Sequence, residues 1–364
     1  MYKSHINTIN IEVTDRCNAE CPACPRNMAG GPVKPYVMNQ ELSVDYFKLI
    51  GPEFLSQIKW WNFCGTKGDP SSAQDLFEII DYLLECNPET MIEIRTNGGA
   101  RNTDFWKKIG NRFKGTMCAV AWSIDGWENT NHIYRRNVKW KKVKENLHAY
   151  LSTGARTLWE FNKFAHNMED MPVIESFCKR HNIHFLPREP FGFENNADQG
   201  NAKERYRSMP VYKAIDENTA VLEYEIFPYN ASKENLISDH PKSLKKEEFL
   251  SGVFDPNNYI HLKNTDVEIQ CETSAELWRQ EVFMDSNGMI LPCCYIASKY
   301  VMGDKQLKDM FDPIKEELIV SKNNTIYDVL NHKLFKKTMP DALSGKMNDD
   351  VGYCITCVHH CKKR

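Results

Sequence analysis

Two kinds of hydrophobic pattern alternate along the first half of the chain. Short apolar runs rich in β-branched and aromatic residues fall at 6–13, 58–63, 91–95, 118–124, 157–165 and 183–186, and read as strands. Segments 41–57, 73–85, 103–111, 140–152 and 170–180 carry the longer helical period between them, with Ser71 or Ser72 and Asn102 or Thr103 as N-cap candidates. Strands alternating with helices imply a parallel sheet with right-handed crossovers, so the fold class is α/β. The count fits a partial (β/α)6, TIM-like barrel. In such sheets chemistry gathers beyond the C-terminal strand ends, so the residues following each strand are the informative ones.

The pattern changes near residue 190. Residues 191–265 carry scattered prolines and Glu/Lys clusters, with one short apolar run at 220–227, and read as a bridging or lid segment. From about 266 to 364 a second, smaller α+β domain is expected. Residues 281–284 read as a strand, Asp285 to Gly288 as a hairpin turn, 289–291 as the returning strand, and 326–336 as helical.

Composition narrows the function classes. The 364 residues are 41% hydrophobic, enough for a sizeable core, and 46 basic against 49 acidic residues leave a net charge of −3. That balance gives no global footprint for nucleic acid or a membrane surface, and neither partner is expected. The basic run at 139–144 reads as a solvated helix face. No apolar run is long enough to span a bilayer and the start lacks a signal-peptide core, so a cytoplasmic location is expected. Thirteen cysteines in a reducing compartment then suggest metal or cluster ligation rather than disulfides. Cys64, Cys86, Cys118 and Cys178 fall inside strands and helices and are assigned to packing.

The densest chemistry lies just after the first strand, where Cys17, Cys21 and Cys24 form C-x3-C-x2-C on a loop. Thiolates bind iron–sulfur clusters and soft metals. Three on one loop suit either three irons of a cubane, with the fourth left open, or part of a structural zinc site. The spacing resembles that of the radical SAM superfamily, in which a [4Fe–4S] cluster on such a loop binds S-adenosylmethionine (SAM). The resemblance extends to later strand ends. Gly65, Thr66, Lys67, Gly68 and Asp69 stand where the family has a Gly-Gly-Glu-type segment that receives the SAM amino group, with Asp69 one methylene shorter than the usual glutamate. Asn97 stands in a Thr-Asn-Gly segment, and Ser123 and Asp125 in a Ser-x-Asp-Gly segment. Arg135 follows, where the family pairs a guanidinium with the methionine carboxylate. Strand five ends in Asn162, Lys163, His166 and Asn167, some of which must face the barrel lumen.

A second cysteine set closes the chain: Cys271, Cys293, Cys294, Cys354, Cys357 and Cys361. It resembles the SPASM/twitch extension of radical SAM proteins. The resemblance implies one auxiliary [4Fe–4S] cluster on Cys271, Cys293, Cys354 and Cys357, with Cys294 and Cys361 left over; a four-cysteine zinc site is the rival. The implied enzyme reductively cleaves SAM to a 5′-deoxyadenosyl radical and takes hydrogen from a substrate carbon. A fully cysteine-bound auxiliary cluster suits an oxidative outcome. The substrate expected by analogy is a peptide or protein. A small alcohol, aminocyclitol or sugar dehydrogenase, a peptide epimerase, and a non-catalytic zinc or cluster scaffold are alternatives. A reducing partner such as flavodoxin or ferredoxin is implied. Asp125, Lys163, His166 and Glu189 are candidates for acid–base work.

Overall fold

The computed structural model describes residues 6–190, 206–216, 218–230, 236–238, 240–245, 269–270, 281–340 and 362–363. In chain order the elements are β1 (Thr8–Ile11), α1 (Val44–Ile50), α2 (Pro52–Leu55), β2 (Trp60–Phe63), α3 (Leu76–Cys86), β3 (Met91–Thr96), α4 (Thr103–Phe113), β4 (Ala119–Ser123), α5 (Asn131–Tyr134), α6 (Trp140–Leu151), β5 (Arg156–Asn162), α7 (Met171–Arg180) and β6 (His184–Arg188). There follow β7 (Tyr206–Arg207), β8 (Met209–Ala214), β9 (Thr219–Ile226), β10 (Leu236–Ile237), β11 (Ser243–Lys245), β12 (Ile269–Gln270), β13 (Glu281–Met284) and β14 (Ile290–Leu291). Helices at Cys294–Val301, Lys305–Phe311 and Ile326–Asn331 come next, and then β15 (Lys362–Lys363). The chain divides into two units, Met1–Arg16 with Met38–Glu93 and Phe254–Arg364, and Cys17–Val37 with Ile94–Val253. Both mix helices with mostly parallel strands, the expected α/β class.

In the first unit β1 pairs in parallel with β2 on one side, Ile11 opposite Phe63, and with β13 on the other, Ile11 opposite Met284. The hairpin expected at 281–291 is present, β13 running antiparallel to β14. Its turn is tied by Asp285, whose Oδ1 accepts the N–H groups of Asn287 and Met289, each at 2.9 Å. Along β1 and just past it Ile9, Ile11 and Val13 are buried, and so are the intervening Thr8, Asn10 and Glu12. The polar face is therefore interior, and it is spanned by hydrogen bonds from Asn62 to Asn10 and from Asn10 to Glu281. Two expectations change. The helix at 41–57 is broken into α1 and α2, because Gly51 sits at φ +92° and Pro52 starts a new turn. The helix expected from 73 begins at Leu76, with Asp75 rather than Ser71 or Ser72 at its N-cap; Ser71 and Ser72 belong to a short 3₁₀ turn instead.

In the second unit β4, β5 and β6 pair in parallel, Ser123 opposite Glu160 and Asn162 opposite Arg188. Asn102 caps α4 as expected, accepting the Phe105 N–H at 3.0 Å. Helices α4 and α6 pack together, and in the core Trp106 meets Trp122 at a tilt and Trp122 meets Tyr150 edge-on, with ring centroids 4.7 and 5.9 Å apart. Strand β5 stops at Asn162, three residues short of the expected end. The segment read as irregular contains an antiparallel sheet, β11-β9-β8, of which the sequence disclosed only the apolar run inside β9. Among the described residues no helix is long and apolar enough to cross a membrane.

Candidate functional site

The cysteine loop lies in the second unit and is shaped by its own backbone. The Cys24 N–H donates to the Cys21 carbonyl and the Asn27 N–H to the Cys24 carbonyl, each at 3.1 Å. Cys21 is buried and Cys17 and Cys24 are half-buried. Donors that reach the sulfurs include the Ala19 N–H at 3.3 Å and Asn97 Nδ2 at 3.6 Å from Cys17 Sγ, and Arg135 Nη1 at 3.8 Å from Cys21 Sγ. Among the described residues no group of three or more His, Cys, Asp or Glu side chains is gathered to hold a metal ion, and this includes the three thiols. The donor set nonetheless fits an iron–sulfur cluster. It offers soft sulfur ligands, with N–H groups and one cation aimed at sulfur to stabilise negative charge there. Burial pushes the Cys21 thiol up, against the opposing pull of the Arg135 guanidinium.

Asp125 and Arg135 form the hub behind this loop. Arg135 Nε donates to Asp125 Oδ2 at 2.6 Å, and Asp125 Oδ1 accepts the Asn162 N–H at 2.7 Å. The Asp125 backbone is held as well, its N–H by Asn131 and its carbonyl by Asn167, both at 2.9 Å. Burial alone would lower the Arg135 pKa, but Asp125 and Cys21 hold it above its ordinary value, so it stays cationic. The arginine expected to meet a methionine carboxylate thus carries an internal carboxylate on Nε and points Nη1 at a cysteine. Asn97 also donates to Asn18 Oδ1 at 3.1 Å, which ties the β3 end to the loop.

Ser123 is directed at Glu160 Oε2, 3.4 Å away. Glu160 accepts from Arg188 Nη2 at 2.7 Å and Arg95 Nε at 3.3 Å. Burial would raise its carboxyl, but Arg95 and Arg188 hold it below the usual range. Sequence reading did not single Glu160 out. A carboxylate inside an apolar strand with an arginine at the end of two other strands was the available signal. Lys163 pairs with Glu189, donates to Tyr229 Oη at 3.1 Å and sits 4.2 Å from that ring's centre. His166 stacks on Phe164 with centroids 5.4 Å apart, and burial lowers its pKa to about 4.

The glycine-containing loop after β2 belongs to the first unit. Its organiser is Glu12, a residue the sequence reading passed over. Glu12 accepts from Thr66 Oγ1 at 2.8 Å, from the N–H groups of Lys67 and Gly68, and pairs with Lys67 Nζ at 3.6 Å. Burial raises its carboxyl, with Lys67 opposing. Peptide planes are trans, so these two N–H bonds turn the carbonyls of Thr66 and Lys67 away from Glu12. Both glycines are steric requirements: a Cβ on Gly65 would stand 1.5 Å from the Gly68 carbonyl oxygen, and one on Gly68 1.7 Å from that of Thr14. Asp69 accepts from the Ser71 N–H at 3.0 Å and from Ser71 Oγ at 2.6 Å, capping the turn that follows.

In the C-terminal cysteine set, Cys293 is buried and its sulfur accepts the Ile296 N–H at 3.5 Å, at the start of the Cys294–Val301 helix. Cys271, Cys354, Cys357 and Cys361 lie outside the described residues.

No family model matches the chain. Similar solved structures include Streptococcus suis SuiB bound to S-adenosylmethionine, at 12% identity over 97% of this chain and 74% of that one, TM-score 0.48. Against SuiB bound to precursor peptide SuiA this chain spans 61% of the other's length, at 13% identity, 82% of its own length and TM-score 0.48. BtrN in complex with AdoMet and 2-DOIA is matched at 12% identity over 98% of this chain and 92% of that one, TM-score 0.41. These likenesses, at 12 to 13% identity, are ones of fold.

Proposed function

We propose that the chain is a radical SAM enzyme that holds a [4Fe–4S] cluster on Cys17, Cys21 and Cys24 and uses SAM to take hydrogen from a substrate carbon. The observation that carries this reading is the set of donors on the loop sulfurs: Ala19 and Asn97 on Cys17, and the buried Arg135 on Cys21. A thiol kept merely for packing has no use for a guanidinium held cationic beside it. When bound, the cluster and SAM supply an electron and a 5′-deoxyadenosyl radical. The chain's residues supply placement. Cys17, Cys21 and Cys24 would hold the cluster, and coordination of this kind would contribute to the folding of the loop. Asp125 fixes the Arg135 guanidinium, whose remaining N–H groups serve the sulfur and the methionine carboxylate. The carbonyls of Thr66 and Lys67, turned outward by Glu12, are acceptors suited to the SAM amino group. Gly65 and Gly68 admit the close approach, Asp69 shapes the turn, and Ser123 and Asn97 contact the remainder of the cofactor.

In the same reading residues 1–190 form the SAM domain, 191–265 bridge, and 266–364 carry one auxiliary [4Fe–4S] cluster on Cys271, Cys293, Cys354 and Cys357. The substrate is a peptide or protein modified oxidatively, with a small alcohol, aminocyclitol or sugar as the second choice. The test is anaerobic reconstitution with iron and sulfide, followed by SAM and dithionite. About eight irons in the wild type falling to about four in a Cys17/Cys21/Cys24→Ala variant, with 5′-deoxyadenosine formed only by the wild type, supports the reading. Zinc in place of iron, or no 5′-deoxyadenosine, overturns it.

A further inference from the structure

We propose that the outer face of α4 and α6 is the docking surface for an acidic one-electron carrier protein that reduces the cysteine-loop cluster; this rests on the reading of that loop as a cluster site. The two helices pack together and carry Lys107 and Lys108 on α4, with Lys139, Lys141, Lys142 and Lys144 on or just before α6. All six are exposed except the half-buried Lys142. Lys107, Lys141 and Lys144 line one groove of about 580 Å³ together with His148. The carboxylates on this face are Asp104, Glu128 and Glu145. Glu145 lies 4.0 Å from Lys141 and Glu128 3.6 Å from Lys144, with side chains half or more exposed on nearly every count. Such solvated pairs leave the field of the patch largely standing. The protein as a whole is slightly acidic, at −3, so this concentration of cations is local.

Two further observations point to a partner rather than a merely solvated helix. Lys139, Lys141 and Lys142 crowd the start of α6, which has no acidic residue in its first turn and no side-chain cap. That is the positive end of the helix dipole, where cations are unfavourable. A local cost of this kind marks a site kept for function. The patch also begins beside the cluster loop. Asn97, ahead of α4, reaches Cys17 Sγ at 3.6 Å, and Asn137, ahead of α6, donates to the Asn18 carbonyl at 3.0 Å. A carrier seated on the patch rim lies next to Cys17, which is half-buried rather than sealed. The step moves one electron: the carrier is oxidised by one and the cluster goes from [4Fe–4S]²⁺ to [4Fe–4S]⁺, with no bond or proton transferred.

The experiment measures binding of an acidic flavodoxin to the reconstituted full chain at low and at high salt, and the rate at which reduced flavodoxin bleaches the cluster. The variant is Lys107→Gln/Lys141→Gln/Lys144→Gln, and the control is Lys322→Gln/Lys336→Gln/Lys337→Gln, which removes the same charge from exposed positions elsewhere. The expected result is binding and bleaching weakened about tenfold or more at low salt in the first variant alone, with the difference shrinking as salt rises. Reduction by dithionite stays at the wild-type rate in both, which shows an intact cluster. Equal loss in both variants, or no loss in the first, overturns the docking surface. A chain that takes up no iron instead overturns the reading of the loop.

Discussion

Two loops carry most of the candidate chemistry, and they are built on opposite plans. The glycine loop of the first unit is closed on a protein carboxylate. Glu12 takes two backbone N–H groups, a hydroxyl and an ammonium, and Asp69 takes the next turn. The cysteine loop of the second unit has the reverse polarity. Its sulfurs receive, among others, a backbone N–H, an amide and a guanidinium at 3.3 to 3.8 Å. The first loop is held by its own hydrogen bonds and turns two carbonyls away from Glu12. The second presents three soft sulfur atoms that are not gathered to hold a metal ion. If the proposed cluster binds there, preorganisation and metal coupling divide the work between the two loops, and the two should respond differently to mutation.

The largest effect should come from Glu12→Ala. It removes the carboxylate paired with buried Lys67, leaving Asp285 as a nearby acid, and strips two N–H groups of their acceptor. Breaking a buried pair of this kind costs about 3–5 kcal/mol, read by urea denaturation of the full chain. A loss under about 1 kcal/mol would mean that the loop is not organised by Glu12. Gly68→Ala comes next. Its methyl meets the Thr14 backbone oxygen, which cannot rotate away, so the loop must shift, at about 1–3 kcal/mol. SAM binding should weaken in this variant more than its stability loss accounts for.

The comparison also explains what could be read in advance. The cysteine spacing and the α/β alternation were legible because both are local patterns in sequence. Glu12 was not, because its partners come some 55 residues later in the chain, and an alternating strand reads as half-solvated when its polar face is in truth interior. The hairpin at 281–291 was legible from its turn, but its parallel pairing with β1 was not, since register between distant strands leaves no local mark. The break at Gly51-Pro52 is local, a glycine at positive φ followed by a proline that starts a new turn, and apolar periodicity alone runs across it. Arg135 was found by position; its bond to Asp125 needed the structure to bring residues ten apart around a turn.

A pH measurement sharpens the contrast on the second unit. His166 is folded in a neutral form, with its pKa lowered to about 4 by burial, and among the described residues its Nε2 has no hydrogen-bond partner. An unfolded histidine titrates near 6.5. Between those values the unfolded chain binds more protons than the folded one, so stability falls as pH drops from about 6.5 towards 4. His166→Phe keeps a ring against Phe164 and removes the proton site. The wild type should lose on the order of 1–2 kcal/mol more than this variant between pH 7 and pH 5. Parallel losses in the two proteins would show that other groups drive the acid response.

The smallest stability effect, and the most telling one, belongs to Asn97→Ala. Its amide nitrogen gives one bond to Cys17 Sγ at 3.6 Å and one to Asn18 at 3.1 Å, and its Oδ1 accepts the Gly99 N–H at 2.8 Å, all partly solvated, so removal should cost on the order of 1 kcal/mol. If the cysteine loop is completed by metal, its weak donors matter in the loaded state more than in the bare fold, because metal-bound thiolates carry charge that N–H donors stabilise. Iron retained through gel filtration after reconstitution should therefore drop in Asn97→Ala while its thermal midpoint before reconstitution stays close to wild type. Glu12→Gln should show the opposite split, a lowered midpoint with iron at the cysteine loop retained. Were both variants to lose stability and iron together, the two loops would be one cooperative site, and the division between a preformed loop and a metal-completed one would fall.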